Sequence, residues 1–370
     1  MKIAHINTFS NGSTGKIART LIASSIARGD EGKLFYARGP IVTEIPSVNF
    51  SSRADIFLHG LAARLFDCQG LKSKSKTKKL IGLLREYNPD IIHLHNLHGY
   101  YLNYPRLFAY LKKSGKQIRW TLHDCWAFTG HCAYFSYVDC ENWKMGCGNC
   151  PQKEAYPKSV FIDRSRKNFR YKKGCFTALD VDKVLLIAPS EWMAELARQS
   201  FLGKYKIIVQ KNQIDKSVFY PRDTKKTLEK YELQEKVVIL GVASRWDKRK
   251  GLQYFVQLDR KIDHKKMKIV VVGVSKKQKR WLLNKTRILP ILRTNDQNEL
   301  AELYSSADVF FNPTMEENYP TVNLEAQACG AKVLSFDTGG CKETDMKTGS
   351  FFLTNKEQFI TDIYHVTDSI

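Results

Sequence analysis

Two acidic residues, Glu317 and Glu325, stand eight positions apart in EENYPTVNLEAQACGAKV (316–333), a stretch that closes on small residues and a short apolar run. Carboxylates accept hydrogen bonds from hydroxyls, so the vicinal hydroxyls of a sugar are their natural complement. Arg245 and Lys250, five apart in SRWDKRKGL, directly follow the apolar run VVILGVAS. Cations at the end of a buried strand imply a negative partner, and a diphosphate takes a guanidinium fork and an ammonium together. Gly339 and Gly340, in DTGGCKE, end a third apolar run and let backbone pass close to a ligand. Taken alone, the two glutamates could be surface residues at a helix start; their company argues for a site.

Strand ends have to hold these residues. The runs MKIAHINT, GKLFYARG, PDIIHLHNL, QIRWTLHD, KVLLIAPS and KIIVQKNQI are mostly apolar without alternation, as sheets covered on both faces require. Between the first two, Ile17, Leu21, Ile22 and Ile26 recur at helical spacing. After a polar, Lys-rich stretch the pattern restarts with VVILGVAS, MKIVVVG, ADVFFNPT and AKVLSFDTGG. The reading is α/β: two doubly wound Rossmann-like domains, 1–214 and 236–370, joined by a linker at 215–235, the first carrying a Cys-rich insertion at about 125–151. Ligands of such sheets sit beyond the carboxyl ends of the strands, which makes the cleft between the domains the expected site. A helix beginning near Thr321 or Val322 leaves Glu317 just before it and Glu325 one turn inside. Its unpaired N–H groups favour an anion beside the two carboxylates.

Composition agrees with two cores: 370 residues exceed what one usually serves, and 43% of them are hydrophobic. No stretch approaches about 20 uninterrupted apolar residues. The opening MKIAHINTFSNGSTG lacks the apolar centre of a signal peptide, so a cytoplasmic location is expected. In that compartment the nine cysteines are thiols or metal ligands rather than disulfides. The formal charge of +22 suits an anionic partner: a phosphorylated substrate, an acidic lipid leaflet or nucleic acid. The lysine runs LKSKSKTKKL (71–80) and SKKQKRW (275–281) hold few of the aromatics that stack bases, so no specific nucleic-acid partner is expected. Lys72, Lys74, Lys76, Lys78 and Lys79 instead predict peripheral docking on an anionic membrane surface, the inner face of the membrane.

In this order and on these strand ends, the motifs resemble the retaining nucleotide-sugar glycosyltransferases of family four, with the GT-B fold, of the bacterial polysaccharide or colanic-acid-type biosynthesis group. The pieces are the E-x7-E of Glu317 and Glu325, the R-x4-K of Arg245 and Lys250, and the Gly339–Gly340 turn with Glu343 three residues on. TLHD with His123, the NGSTGKIAR loop and APSEWMAEL (188–196) complete the set, which covers nearly the whole chain. The resemblance implies a hexosyltransferase-type enzyme acting with retention from a nucleotide-diphosphate donor to a glycan or lipid-linked acceptor, in surface polysaccharide biosynthesis. It implies that His123, Glu317, Arg245 and Lys250 are catalytic. Glu325 would hold the ribose hydroxyls and Glu317 the transferred sugar, while Arg245 and Lys250 neutralise the departing diphosphate with the N–H groups of Thr321 and Val322. His123 would face the sugar, and Gly15 would let the first-domain loop approach the diphosphate. No cofactor is required, because stabilising the leaving charge is the main contribution. Two departures stand out: ENYP (317–320) replaces the common EGFG, and NKEQFITDIYHVTDSI leaves little for a terminal helix that often crosses back to the first domain. The alternatives are another GT-B enzyme, an epimerase or a phosphorylase, and a basic nucleic-acid-binding protein.

A second constellation is HDCWAFTGHCAYFSYVDCENWKMGCGNCP (123–151), where Cys132, Cys140, Cys147 and Cys150 fall within nineteen residues and end in C-x2-C. Such a turn can aim two sulfurs at one tetrahedral ion, so a structural zinc on these four is expected, with His131 as a substitute ligand. Reduced thiols packed among aromatics are the plainer possibility, and Cys125 reads as a packed neighbour of His123. His93, His95 and His98 in IIHLHNLHGYY look like a metal patch, but His93 and His95 share one strand face and are expected to line the cleft or touch the acceptor. NGSTGK lacks the full phosphate-loop pattern G-x4-G-K-[ST].

Overall fold

The apolar runs become the strands, here in a computed structural model that describes residues 1–294 and 296–368. The chain divides into two units, Met1–Lys211 and Asn212–Ile370. In the first, β1 (Lys2–Phe9), β2 (Glu31–Arg38), β3 (Ser47–Asn49), β4 (Ile91–Leu94), β5 (Gln117–Thr121), β6 (Val184–Ala188) and β7 (Lys206–Val209) form one sheet in the order β3-β2-β1-β4-β5-β6-β7. In the second, β8 (Val237–Val242), β9 (Met267–Val272), β10 (Leu289–Ile291), β11 (Val309–Asn312), β12 (Lys332–Phe336) and β13 (Phe351–Leu353) run in the order β10-β9-β8-β11-β12-β13. All pairings are parallel. Parallel strands need crossovers, which helices supply and which cover both faces; hence the unbroken burial of β4 and β11.

Both sheets reverse their strand order at one place, between β1 and β4 in the first and between β8 and β11 in the second. That is where the carboxyl-end loops part and leave room for a ligand. The first switch point carries His5 and His93, which are register partners. At the second, the loop after β8 brings Arg249 and Lys250, and the loop after β11 brings Glu317.

Three strands escape sequence periodicity: β3, β10 and β13. Each has three residues and lies at a sheet edge, too short for a period to register. The expected linker at 215–235 is also corrected. The division falls after Lys211, and 215–235 belongs to the second unit, where Phe219 and Leu233 are buried in its core and residues Lys225–Tyr231 form a helix. Polar composition disguised this segment, since two anchors suffice to pin it. The helix Phe359–Asp368 packs Phe359, Ile363 and Val366 into the core of its own unit. Among the described residues no helix is long and apolar enough to cross a membrane.

Candidate functional site

In the second unit the site is assembled by backbone before side chains meet. Met315 N–H donates to Arg249 carbonyl at 2.7 Å, which ties the loop after β11 to the loop after β8. Gly340 N–H donates to Glu317 carbonyl at 2.9 Å. Gly339 has φ +61°, and a Cβ there would lie 2.0 Å from the same carbonyl oxygen. The Gly-Gly turn is therefore required by the approach of Glu317 itself, whatever ligand it also faces.

Glu317 is thereby presented to two cations. Its Oε2 accepts from Lys250 Nζ at 2.6 Å and from Arg249 Nη1 at 2.7 Å, with side chains 17%, 17% and 10% exposed for Glu317, Lys250 and Arg249. Burial alone would push this carboxyl up, but Lys250 and Arg249 outweigh it and hold it at about 2. Arg249 also donates to Glu316 carbonyl at 2.5 Å. The structure thus unites two of the expected residues, Glu317 and Lys250, and adds Arg249, which the spacing argument passed over. Arg245, four residues earlier, is exposed. One signal could have found Arg249: in DKRKG it adjoins Lys250, so the loop after β8 brings two consecutive cations to the same place.

The helix Thr321–Ala328 begins where the sequence places it. Pro320 at its cap has no side-chain acceptor, so no side-chain cap closes the first-turn N–H groups, those of Thr321 and Val322 among them. Its position is set by a buried amide chain: Asn312 Nδ2 donates to Asn323 Oδ1 at 2.8 Å, and Asn323 Nδ2 to Thr344 Oγ1 at 3.0 Å. Glu325, half-buried one turn in, accepts from Tyr304 hydroxyl at 3.1 Å. Two carboxylates, a cation pair and a helix amino terminus therefore gather at one switch point, a set able to bind a polyol phosphate.

The first unit holds four stacked imidazoles. Ring centroids are 4.8 Å apart for His5 and His93, 4.4 Å for His93 and His95, and 5.3 Å for His95 and His123. His5 Nδ1 and His95 Nε2 are 3.1 Å apart, and His95 Nδ1 and His123 Nε2 are 3.0 Å apart. Each contact joins one donor and one acceptor, so His5, His95 and His123 share a single hydrogen-bond polarity. Burial lowers His5 to about 3 and His123 to about 4, and carries His93 and His95 well below the ordinary value. All four rings are thus neutral near pH 7. His93 and His95 are buried, which corrects the expectation that they line a cleft: β4 is central and covered on both faces. His123 is the half-buried member. His98 belongs elsewhere, with Nε2 2.6 Å from Asp124 Oδ2 and Nδ1 3.0 Å from Tyr156 hydroxyl. Among the described residues, His5, His93 and His95 could hold an ion, their ligand atoms lying within 4.8 Å of one another.

Gly15 lies inside the helix Gly12–Ala27 rather than in a loop. A Cβ there would meet Ser10 carbonyl carbon at 2.7 Å, so the helix's own first turn against the end of β1 demands glycine. Cys132, Cys140, Cys147 and Cys150 line one pocket with Phe135 and Trp143. The Cys132 and Cys150 thiols hydrogen-bond, which lowers Cys150 and raises Cys132; burial pushes Cys147 up to about 11. Cys125 is buried.

Residues 235–368 match the family described as Glycosyl transferases group 1. A colanic acid biosynthesis glycosyl transferase, WcaC, of Escherichia coli K12 is 24% identical over 288 residues, 74% of this chain and 66% of that protein. The D-inositol 3-phosphate glycosyltransferase of Stackebrandtia nassauensis is 28% identical over 151 residues, 36% of this chain and 34% of that one. The alignments thus span about two thirds and one third of these relatives. Sucrose-phosphate synthase of Thermosynechococcus elongatus has a TM-score of 0.71 at 16% identity, covering 99% of this chain and 90% of that one. Anabaena Alr3699/HepE, solved with UDP-glucose, has a TM-score of 0.66 at 16% identity, covering 100% and 90%. Residues 235–368 thus match a group 1 glycosyltransferase domain, and the two parallel-sheet units share the GT-B fold of these solved proteins.

Proposed function

We propose that the protein transfers a sugar, with retention at the anomeric carbon, from a nucleotide-diphosphate donor to a glycan or lipid-linked acceptor in surface polysaccharide biosynthesis. The observation that carries this reading is the convergence of Lys250 and Arg249 on Glu317 directly before the helix that bears Glu325. In the free protein Glu317 holds Lys250; the donor's diphosphate competes for that ammonium and frees carboxylate lone pairs for the sugar hydroxyls. Arg245, exposed beside this loop, and the N–H groups of Thr321 and Val322 then share the leaving charge, while Glu325 takes the ribose hydroxyls. Bond breaking to a stabilised diphosphate needs no covalent help from the protein. The diphosphate stays on the face it leaves, where its oxygen accepts the proton of the incoming hydroxyl, and attack on that face retains configuration. Solved GT-B proteins with UDP, UDP-glucose or UDP-2-fluoro glucose support a nucleotide-sugar donor, and the likeness to WcaC supports the pathway class.

A lipid-linked acceptor fits the surface of the first unit. Phe57 and Leu58 on the helix Arg53–Phe66 are 68% and 63% exposed, and Phe161 is 72% exposed. Val160 N–H donates to Arg64 carbonyl at 2.8 Å, tying the segment before Phe161 to that helix. Asp55 accepts from Ser73 at 2.6 Å, which ties the same helix to the start of the Lys-rich helix Lys74–Tyr87. A pocket of about 630 Å³ lined by Arg164, Arg166, Lys167 and Arg170 follows Phe161 in the chain. Apolar side chains beside exposed cations suit an anionic leaflet on the cytoplasmic face.

Incubation with a panel of nucleotide sugars and extracted lipid-linked glycans tests the reading. Release of a nucleoside diphosphate with formation of a product of the donor's anomeric configuration is expected. Release with inverted product removes retention, and no release with any donor overturns the assignment.

A further inference from the structure

We propose that Cys132, Cys140, Cys147 and Cys150 bind one zinc ion as a tetrathiolate, and that the buried ammonium of Lys172 compensates its charge. The ion would be structural, holding the segment 125–164 in place. Four thiols from four turns of that segment line a single pocket, although its elements are only the short helices Cys125–Phe128, Ser136–Val138 and Asn142–Met145. The segment anchors Trp126, Phe128, Phe135 and Trp143 in the core of the first unit, and a metal is a common way to fix the irregular turns between such anchors.

Cys132 and Cys150 face the pocket together with Cys140 and Cys147. Cys147 Sγ accepts Gly130 N–H at 3.1 Å, the kind of backbone donor a thiolate ligand needs. Gly130 is required there: a Cβ would lie 2.7 Å from Cys147 Cβ and 2.1 Å from Ser165 carbonyl oxygen. The sulfurs of a tetrahedral site stand about 3.8 Å apart, from Zn–S bonds of about 2.3 Å. The four thiols share the pocket without meeting the mutual spacing that His5, His93 and His95 show, so the ion would draw them together.

Lys172 is the independent observation. It lies on the helix Ser165–Phe176, is 1% exposed, and its Nζ donates to Trp126 carbonyl at 2.6 Å and Thr129 carbonyl at 2.9 Å. The ammonium also sits 3.4 Å from the centre of the Trp126 ring. These direct partners are neutral, and the carboxylates that act on it, Asp67 and Asp124, are shared with His131 and His98, so further negative charge beside Lys172 would favour its ammonium. Zn²⁺ with four thiolates carries two negative charges, and Trp126 and Thr129 lead directly into Cys132. His131 is committed to Asp67, with Nδ1 2.6 Å from Oδ1, which locks the same segment by a second route.

Metal analysis of the full chain, purified under reducing conditions, should find about one zinc per chain. The C147S/C150S double variant should lose it. Replacement with Co²⁺ should give the visible bands of tetrahedral thiolate coordination, a readout that needs no variant to fold. Lys172→Met should release zinc to a chelator faster on the order of tenfold, as removal of an outer partner does. Wild-type protein without zinc, cobalt spectra without thiolate charge transfer, or full zinc retained by C147S/C150S would each overturn the proposal; the last would point to the three histidines.

Discussion

Lys250 Nζ lies 2.6 Å from Glu317 Oε2, and Arg249 reaches the same oxygen at 2.7 Å. One carboxylate oxygen thus anchors two cations from the loop across the switch point. Such a cluster is pre-organised: the charges that would meet a diphosphate are already desolvated and aimed. Lys250→Ala should lower kcat/KM on the order of 10²–10³-fold, the scale for removing one donor to a developing charge. Arg245→Ala should reduce turnover without shifting the melting temperature, because Arg245 is exposed. Arg249→Ala should lower both, since Arg249 also holds Glu316 carbonyl. Kinetics and thermal melts on the three variants separate these outcomes; wild-type turnover in R245A/K250A would end the diphosphate assignment.

Glu325→Ala should weaken nucleotide binding by about 10- to 100-fold, the effect of removing hydrogen bonds to a charged group. Tyr304→Phe removes the hydroxyl that donates to Glu325 but keeps the carboxylate, so its effect should be smaller. Calorimetry with a panel of nucleoside diphosphates measures both. A larger loss for Y304F than for E325A would show that Glu325 acts through packing.

His123→Ala should lower the rate while changing nucleotide affinity little, since the groups proposed to bind the nucleotide lie in the second unit. Replacement of His95, whose Nδ1 is 3.0 Å from His123 Nε2, should reproduce part of that loss by freeing the ring it orients. Steady-state kinetics with nucleotide titration decides the point: equal loss of nucleotide affinity would contradict the placement.

Acid should open the first unit before the second. His5, His59 and His123 are held by burial at about 3, 4 and 4, against 6.5 in the unfolded chain. Between those values the unfolded chain binds protons that the folded unit excludes, so stability falls as pH drops from about 6.5 toward 4. Glu317 works in a lower window. Its folded value of about 2 lies below the unfolded 4.5, so its contribution is present above 4.5 and is lost as pH falls toward 2. Hydrogen exchange read by mass spectrometry at stepped pH should show β1, β4 and β5 exposed first. Earlier exposure of β8 and β11 above pH 5 would reverse the order.

Membrane docking through the first unit should be weak and salt-sensitive. Each lysine near an anionic leaflet contributes about 1 kcal/mol, and the attraction decays over about 8 Å at physiological salt. Sedimentation with anionic vesicles at low salt should pellet the protein, and high salt should release it. Phe57→Ser with Phe161→Ser should reduce pelleting, whereas a protein that stays in the supernatant over anionic vesicles at low salt would refute docking.

Much of this was legible along the chain. Unbroken apolar runs marked the central strands because both faces of a parallel sheet are covered, and the helix start between Glu317 and Glu325 was marked by Pro320, which fits the beginning of a helix and not its interior. The positions of Glu317, Lys250 and Glu325 at strand and helix ends therefore followed from sequence alone. The choice of Arg249 over Arg245 as the partner of Glu317 did not, because it depends on Met315 N–H reaching Arg249 carbonyl between two loops 66 residues apart in the chain. The stack that joins His5 to His93, His95 and His123 was equally hidden, since parallel register puts β1 beside β4 across some 90 residues of intervening chain. Sequence periodicity reports which face of an element is buried; only tertiary pairing decides which distant residues share that burial, because one hydrogen-bond register selects a single neighbour for each side chain.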